Sequence, residues 1–179
     1  MHSYNLNVNA IQWIRLFLCY RKQRVKINGC YSEWTDVISG IPQGTILGPI
    51  LFIIYINDLL EICEEFARIY LFADDAKLFS HVTCNEDHKV LQLGLNALQD
   101  WSNKWLLKLN ILKGKTVFFW TKHKNYTYSV QSTQLERLEH MKDLWVIFDS
   151  ELNFVQHWKE KINTAYSYFG IIKRKFIFR

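Results

Sequence analysis

Proline and glycine are scarce in this chain of 179 residues, with two of the first and seven of the second. Both prolines and three of the glycines fall in one stretch, Ser39 to Pro49. The rest therefore has few residues that break helices and strands, which argues against a low-complexity linker. The four cysteines, Cys19, Cys30, Cys63 and Cys84, make no C-x-x-C pair and have no zinc-like spacing with histidine. That argues against a cysteine-built metal site and points to buried or incidental thiols in a reducing compartment. No apolar run is long enough to span a bilayer, since the longest, Ile46 to Ile56, is interrupted by Gly48 and Pro49. Arg15 breaks the short apolar stretch near the N-terminus, so a signal-peptide pattern is missing. The expectation is an intracellular protein, cytoplasmic or nuclear and not secreted, with no membrane partner. No internal repeat is visible.

What is present is a packed-core composition, 49% hydrophobic and 16% aromatic with seven tryptophans. The length suits one domain with a sizeable core, or one domain and an appendage. Charge is unevenly spread. Residues 1–30 carry five basic side chains and no acidic one, residues 31–100 carry eleven acidic against three basic, and residues 101–179 carry fourteen basic against six acidic. An acidic middle between basic flanks suits a metal site set between surfaces that grip a polyanion, although ordinary surface charge clusters this way too.

Ile11, Ile14 and Leu18 recur at helical spacing and predict an amphipathic helix over roughly residues 9–20. Val25-Lys26-Ile27 alternates, and Asn28-Gly29 after it is a strong hairpin signal, so a second strand is expected near Tyr31 to Trp34. Ser39 to Pro49 reads as a rigid small-residue loop, with Pro49 near the first turn of a helix over about Ile50 to Leu60. Leu51, Tyr55, Ile56 and Leu59 make that helix's stripe. Leu91, Leu95, Leu98, Trp101 and Trp105 mark a longer amphipathic helix, and Thr116 to Trp120 and Leu144 to Phe148 are β-rich runs. Trp158, Ile162, Ala165, Phe169 and Ile172 form the stripe of a last helix, decorated by Lys159, Lys161, Lys173, Arg174, Lys175 and Arg179. The pattern is α+β rather than a strict βαβ alternation.

Asp74 and Asp75 sit between two β-prone runs, Ile69 to Ala73 and Ala76 to Phe79, which reads as strand, tight turn, strand with two acids at the tip. Aspartate favours turns, so an isolated pair is usually just solvated. Paired carboxylates at such a tip are also how phosphoryl-transfer enzymes hold two Mg²⁺ ions about 4 Å apart. Gly40, Gly44 and Gly48 let the backbone approach a ligand closely, and Gln43 can hydrogen-bond a base or a sugar.

Taken together, Ser39 to Pro49, Leu51-Phe52, Tyr55 to Leu59 and Phe72-Ala73-Asp74-Asp75 resemble the reverse transcriptases of LINE-type (non-LTR) retrotransposons. Trp101-Ser102 with Trp105, Leu109-Asn110 with Lys113, Lys142-Asp143-Leu144 and Phe154 to His157 extend the resemblance, as do Trp13 to Leu18 and Arg21 to Gly29. The implied fold is a partial polymerase palm, an antiparallel sheet with packed helices. Residues 1–150 would be that palm with a remnant of the fingers, and residues 151–179 the start of a basic helical thumb.

The resemblance also implies roles. Asp74 and Asp75 would bind Mg²⁺, or Mn²⁺ in its place, with Asp74 the more direct ligand. Gly40, Pro42, Gln43 and Gly44 would face the incoming deoxynucleoside triphosphate and its template base. Phe72 either shapes that site or is a plain core aromatic. Lys113 either steadies the departing pyrophosphate or is a solvated lysine. Arg21, Lys22 and Arg24 would hold the template backbone, and Lys159, Lys161 and Arg174 the duplex, unless they are simply solvated surface. The implied partners are an RNA template and a DNA primer.

Two departures stand out. The family places a third catalytic carboxylate upstream of the glycine-rich loop. The first acids here, Glu33 and Asp36, lie too close to the loop to match it. The expectation is a truncated RNA-directed DNA polymerase, inactive alone, whose missing fingers and palm segment belong to a longer polyprotein. The alternative is a non-catalytic nucleic-acid-binding remnant. Trp145 also stands where the family usually has glycine after Asp143-Leu144, and tryptophan lacks glycine's freedom at positive φ.

Overall fold

The computed structural model describes residues 4–120 and 126–176, so Arg179 of the basic tail lies outside the described residues. Among the described residues five α-helices are joined by short strands, an α+β arrangement. Contacts divide the chain into two compact units, Met1–Glu61 with Leu71–Ala76, and Ile62–Tyr70 with Lys77–Arg179.

In the first unit, α1 spans Val8–Leu18, and Asn7 caps it by accepting a hydrogen bond from the Asn9 amide at 2.8 Å. A two-stranded ribbon with an inner and an outer ladder follows. Strands β1 (Lys22–Gln23) and β4 (Thr35–Asp36) pair antiparallel around an inner hairpin of β2 (Lys26–Ile27) and β3 (Cys30–Tyr31). Its turn carries φ of +49° at Asn28 and +86° at Gly29, the two positive values of a type I′ turn. The second strand is thus shorter than the expected Tyr31 to Trp34, and Thr35 forms a separate outer rung. After the Ser39–Pro49 loop, α2 runs Leu47–Ile56 and α3 Asp58–Glu64. The single expected helix is therefore broken at Asn57. Leu51, Ile56 and Leu59 of its predicted stripe are buried, whereas Tyr55 is exposed.

Strands β5 (Arg68–Phe72) and β6 (Asp75–Phe79) pair as the expected hairpin. Ile69 is buried and Leu71 half-buried, while Arg68, Tyr70 and Phe72 face solvent, the period-two pattern of a one-sided strand.

In the second unit, the helix α4 covers Asn85–Lys104. Asp87 accepts hydrogen bonds from the Thr83 amide and hydroxyl, each at 2.7 Å, and from the Cys84 amide at 3.0 Å, which closes the N-terminus as a capping box. Buried Ser102 closes the other end, donating to the Leu107 carbonyl at 2.6 Å while its own carbonyl accepts from the Leu107 amide. Leu91 and Leu95 pack on a core of Tyr128, Val130 and Leu135 with Leu109, Ile111 and Phe118.

Strand β7 is limited to Lys115–Val117, so only the start of the Thr116 to Trp120 run is strand, and it pairs in parallel with β10 (Glu136–Leu138). Strands β8 (Ser129–Val130) and β9 (Thr133–Gln134) form a hairpin, as do β11 (His140–Asp143) and β12 (Val146–Asp149). Leu144 and Trp145, expected within a strand, form the turn of the latter with φ of +43° and +69°. Among the described residues the strands make six two-stranded ladders rather than one continuous sheet. Ladders this short bury few side chains, and the helices supply most of the core.

The last helix, α5, spans Val155–Lys175 as expected. Asp149 holds its start by accepting from the Glu151, Asn153 and Phe154 amides at 3.1, 2.9 and 2.7 Å. Those bonds hold its carboxyl below the usual range. Its apolar stripe, Trp158, Ile162, Phe169 and Ile172, stays exposed.

Candidate functional site

The Ser39–Pro49 loop owes its shape to backbone positions only glycine adopts easily. Gly40 and Gly44 have φ of +79° and +80°, and no atom lies within 4 Å of where a Cβ would stand on either. The surface there is open, so a ligand can reach the main chain directly. Thr45 stiffens the exit by donating to the Pro42 carbonyl at 2.9 Å and accepting from the Gly48 amide at 3.2 Å. Helix α2 has no side-chain cap at Ile46, and this threonine bridge takes that place. Sequence reasoning passed over Thr45, although a threonine just ahead of a helix is a capping signal. Gln43 is exposed at the loop's outer edge.

The same compact unit holds the tip of the β5–β6 hairpin, with Phe72, Asp74 and Asp75 all exposed. The two-residue turn is Ala73-Asp74, and Ala73 has φ of +50°. A side chain in the left-handed region costs on the order of 1 kcal/mol, and such positions concentrate at functional sites. Stacking of Tyr70 on Phe79, 5.6 Å between centroids, braces the hairpin below its tip.

Among the described residues, neither the Asp74 nor the Asp75 carboxylate has a hydrogen-bonded or ion-paired partner. Two adjacent, solvent-facing carboxylates are hard oxygen donors suited to a divalent cation that shares its remaining positions with water and substrate phosphates. They fit the group the sequence implies. Among the described residues no cluster of three or more His, Cys, Asp or Glu side chains is placed to hold a metal.

The predicted basic residues are distributed differently from a single grip. Arg21 donates from Nε to the Leu18 carbonyl at 2.9 Å and from Nη2 to the Gly40 carbonyl at 2.5 Å, which joins the end of α1 to the glycine loop. Lys22 lies 3.8 Å from Asp36 across the outer ribbon. Arg24 sits over the rings of Tyr31 and Trp34. Lys113 is exposed on a short 3₁₀ turn, Ile111–Lys113, in the second unit. Lys159, Lys161 and Arg174 are exposed on α5 in that unit as well. At about 100° per residue, Lys159 and Lys161 flank the apolar stripe on opposite sides, and Arg174 falls on the face opposite it. Sequence reasoning also missed the ion pair of Lys77 with Asp143, 2.5 Å apart and half-buried, which ties β6 to β11. No local signal links residues 66 positions apart.

The chain matches the family described as reverse transcriptase (RNA-dependent DNA polymerase) over residues 2–165. The RNA-directed DNA polymerase from mobile element jockey of Drosophila funebris is 31% identical over 160 residues, covering 85% of this chain and 18% of the relative. The probable RNA-directed DNA polymerase from transposon BS of Drosophila melanogaster is 28% identical over 165 residues, 86% of this chain and 18% of the relative. That from transposon X-element of the same species is 24% identical over 149 residues, 80% and 16%. The chain therefore spans less than a fifth of the length of the curated relatives it matches. No solved structure matches. A family match running through the glycine loop, the acidic hairpin and the helices around them leaves one conclusion: the chain belongs to the reverse transcriptase family, within its LINE-type, non-LTR retrotransposon branch.

Proposed function

We propose that this chain carries the carboxylate pair and the nucleotide-facing loop of an RNA-directed DNA polymerase palm, and that it does not complete nucleotidyl transfer by itself. The observation that carries this reading is the pairing, within one compact unit, of an open loop at Gly40–Gly44 with two unpartnered carboxylates at a strained hairpin turn.

In the reaction, the 3′ hydroxyl of a DNA primer attacks the α-phosphorus of a deoxynucleoside triphosphate paired with an RNA template. One P–O bond forms, the α–β bridging bond breaks, and pyrophosphate leaves. Asp74 and Asp75 would hold the divalent ions, Mg²⁺ or Mn²⁺, which supply charge neutralisation and Lewis-acid activation when bound. The main chain at Gly40, Pro42 and Gly44, with Gln43, lies against the base pair being formed, and exposed Phe72 borders it. Lys113 meets the leaving pyrophosphate. Lys22 and Arg24 contact template phosphates. Arg21 orders the loop through Gly40 and turns its remaining donors to the same strand. Lys159, Lys161 and Arg174 follow the duplex along α5. Residues 1–150 form the partial palm with a remnant of the fingers, and residues 151–179 begin the thumb. Four free thiols suit an intracellular setting. Among the described residues no helix is long and apolar enough to cross a membrane.

Inactivity alone follows from the carboxylate count. Two-metal transfer in this family draws on a third carboxylate, and the described residues bring no third ligand to the pair. Losing one leaves charge on the transferring phosphate uncompensated, which costs orders of magnitude in rate. In the relatives the rest of the site would come from the remainder of a longer polyprotein.

Primer extension on an RNA template with Mg²⁺ or Mn²⁺ tests this together with Mn²⁺ binding followed by water proton relaxation. The expected result is no extension, with Mn²⁺ binding weakened roughly tenfold by Asp74→Asn. Extension abolished by Asp74→Asn would overturn the claim of inactivity. Unchanged Mn²⁺ binding in that variant would overturn the carboxylate assignment.

A further inference from the structure

The ribbon from Arg21 to Val37 is an exposed two-stranded structure that buries none of its own side chains. Isolated ribbons of this size are marginal in water, and this one puts aromatic rings on the surface rather than in a core. Tyr31 is 52% exposed and Trp34 57% exposed. Arg24 Cζ lies 3.9 Å from the Tyr31 ring centre and 4.5 Å from that of Trp34, and Lys26 Nζ lies 5.1 Å from Tyr31. Lys26 and Tyr31 are register partners, so their side chains share a face. Ser32 holds the region between the two ladders. Its hydroxyl accepts from the Val25 amide at 2.9 Å, and its own amide donates to the Val25 carbonyl at 3.0 Å.

We infer that this face is a stacking platform for single-stranded nucleic acid, on which unpaired bases of the RNA template lie against Trp34 and Tyr31 while Arg24 and Lys26 meet the flanking phosphates. The inference rests on the reading of the first unit as template-facing and adds a mode of recognition to it. Charge complementarity selects the occupant, because residues 21–36 carry four basic side chains against two acidic ones, and one of those acids, Asp36, lies beside Lys22. Half-exposed rings beside pinned cations are what sequence-tolerant single-strand binding uses. Every base has a face to stack, and every phosphate a charge to meet. A protein partner would find a narrow ribbon whose opposite face, Val25 and Ile27, is equally open.

The test uses the full chain and a fluorescein-labelled 12-nucleotide oligouridylate, followed by anisotropy over a salt series. A phosphodiester of equal length without bases serves as the charge control. The wild type should bind oligouridylate about tenfold more tightly than the abasic polymer, as one or two stacked bases require. Trp34→Ala should lose that advantage with its salt slope unchanged, and Trp34→Phe should recover most of it. Arg24→Ala should instead flatten the salt slope by about one, the signature of a lost phosphate contact. Trp34 is exposed, so far-ultraviolet circular dichroism should be unchanged in both tryptophan variants. Equal affinity for the two polymers, or wild-type affinity in Trp34→Ala, overturns the platform while leaving the template-facing reading intact. Absence of any binding by the wild type overturns both.

Discussion

Arg21 and Gly40, nineteen residues apart, are joined by a hydrogen bond of 2.5 Å from the guanidinium to the glycine carbonyl. The same guanidinium holds the Leu18 carbonyl, so one side chain ends a helix and positions the loop proposed to face the nucleotide. Arg21→Ala frees that carbonyl to water. The expected cost is about 1 kcal/mol in an exposed setting, seen as a lower melting temperature. Faster hydrogen exchange confined to residues 38–45 would accompany it. Arg21→Lys should restore little, because an ammonium cannot serve two carbonyls with a planar fork. Unchanged exchange in the alanine variant would show the loop to be held by Thr45 and its glycines alone.

Trp145 is the residue whose replacement should stabilise the protein. It occupies the second position of a type I′ turn at φ +69° and is 78% exposed, so it contributes little burial while holding a conformation suited to glycine. Lys142 Nζ, 5.7 Å from the ring, offsets part of that cost. Relief of the backbone cost outweighs an exposed cation–π contact, and Trp145→Gly should gain about 0.5–1 kcal/mol in urea unfolding. A loss of stability would show the indole to be packed in solution.

High pH should unfold the second unit in two overlapping stages. Burial pushes the Cys63 thiol up to about 11 and the Tyr128 phenol up to about 12, the latter with help from Tyr126. Both groups hold their protons more tightly folded than unfolded. Their contribution is therefore complete below about pH 9 and pH 10 respectively, and is lost as pH rises to 11 and 12. Tyr128→Phe should remove the upper stage. It should cost almost nothing at neutral pH, since among the described residues the buried Tyr128 hydroxyl has no hydrogen-bond partner. Iodoacetamide should label Cys19, Cys30 and Cys84 in the folded protein and reach Cys63 only on unfolding. Rapid labelling of all four thiols would contradict the burial of Cys63.

Low pH should weaken the start of α4. Three hydrogen bonds from Thr83 and Cys84 hold the Asp87 carboxyl well below its ordinary value. A depressed carboxylate stabilises above its unfolded value and loses that contribution as pH falls through the acid range, here below about pH 4. Helicity followed by circular dichroism should decline there, and Asp87→Asn should flatten the decline while lowering stability at pH 7. An identical acid profile in the variant would remove Asp87 from the account.

How much of this was legible beforehand depends on the range of the interaction. Asn28-Gly29 announced its turn because both residues tolerate the left-handed region, and Leu91 to Trp105 announced its helix through regular spacing. The β5–β6 hairpin was equally plain from two β-prone runs around Asp74-Asp75. Leu144-Trp145 misled because Trp145-Val146-Ile147-Phe148 favour a strand, and only the pairing of β11 with β12 forces the first two residues of the Leu144 to Phe148 run into a turn. The stripe on α5 suggested burial, yet those side chains stay exposed among the described residues. In the candidate site the carboxylates and glycines were visible as motifs. The grip of Arg21 on Gly40 and the tie of Lys77 to Asp143 depend on tertiary approach, which no local pattern encodes.

The division of the strands into small ladders bears on how the chain acquires its structure during synthesis. Four of the six ladders close across two-residue turns, at Asn28-Gly29, Ala73-Asp74, Gln131-Ser132 and Leu144-Trp145. Hairpins of this kind form in about 1–10 μs, whereas a ribosome adds about 5–20 residues per second. Each can therefore settle its register before the next element is made, with no distant strand to wait for. Of the other two, β1 and β4 close around the Asn28-Gly29 hairpin, whereas the parallel pair of β7 and β10 must wait, since Val117 needs Leu138 to emerge. The acidic hairpin, complete at Phe79, can be in place long before α5 exists, and nascent-chain arrest past that residue should find it already formed.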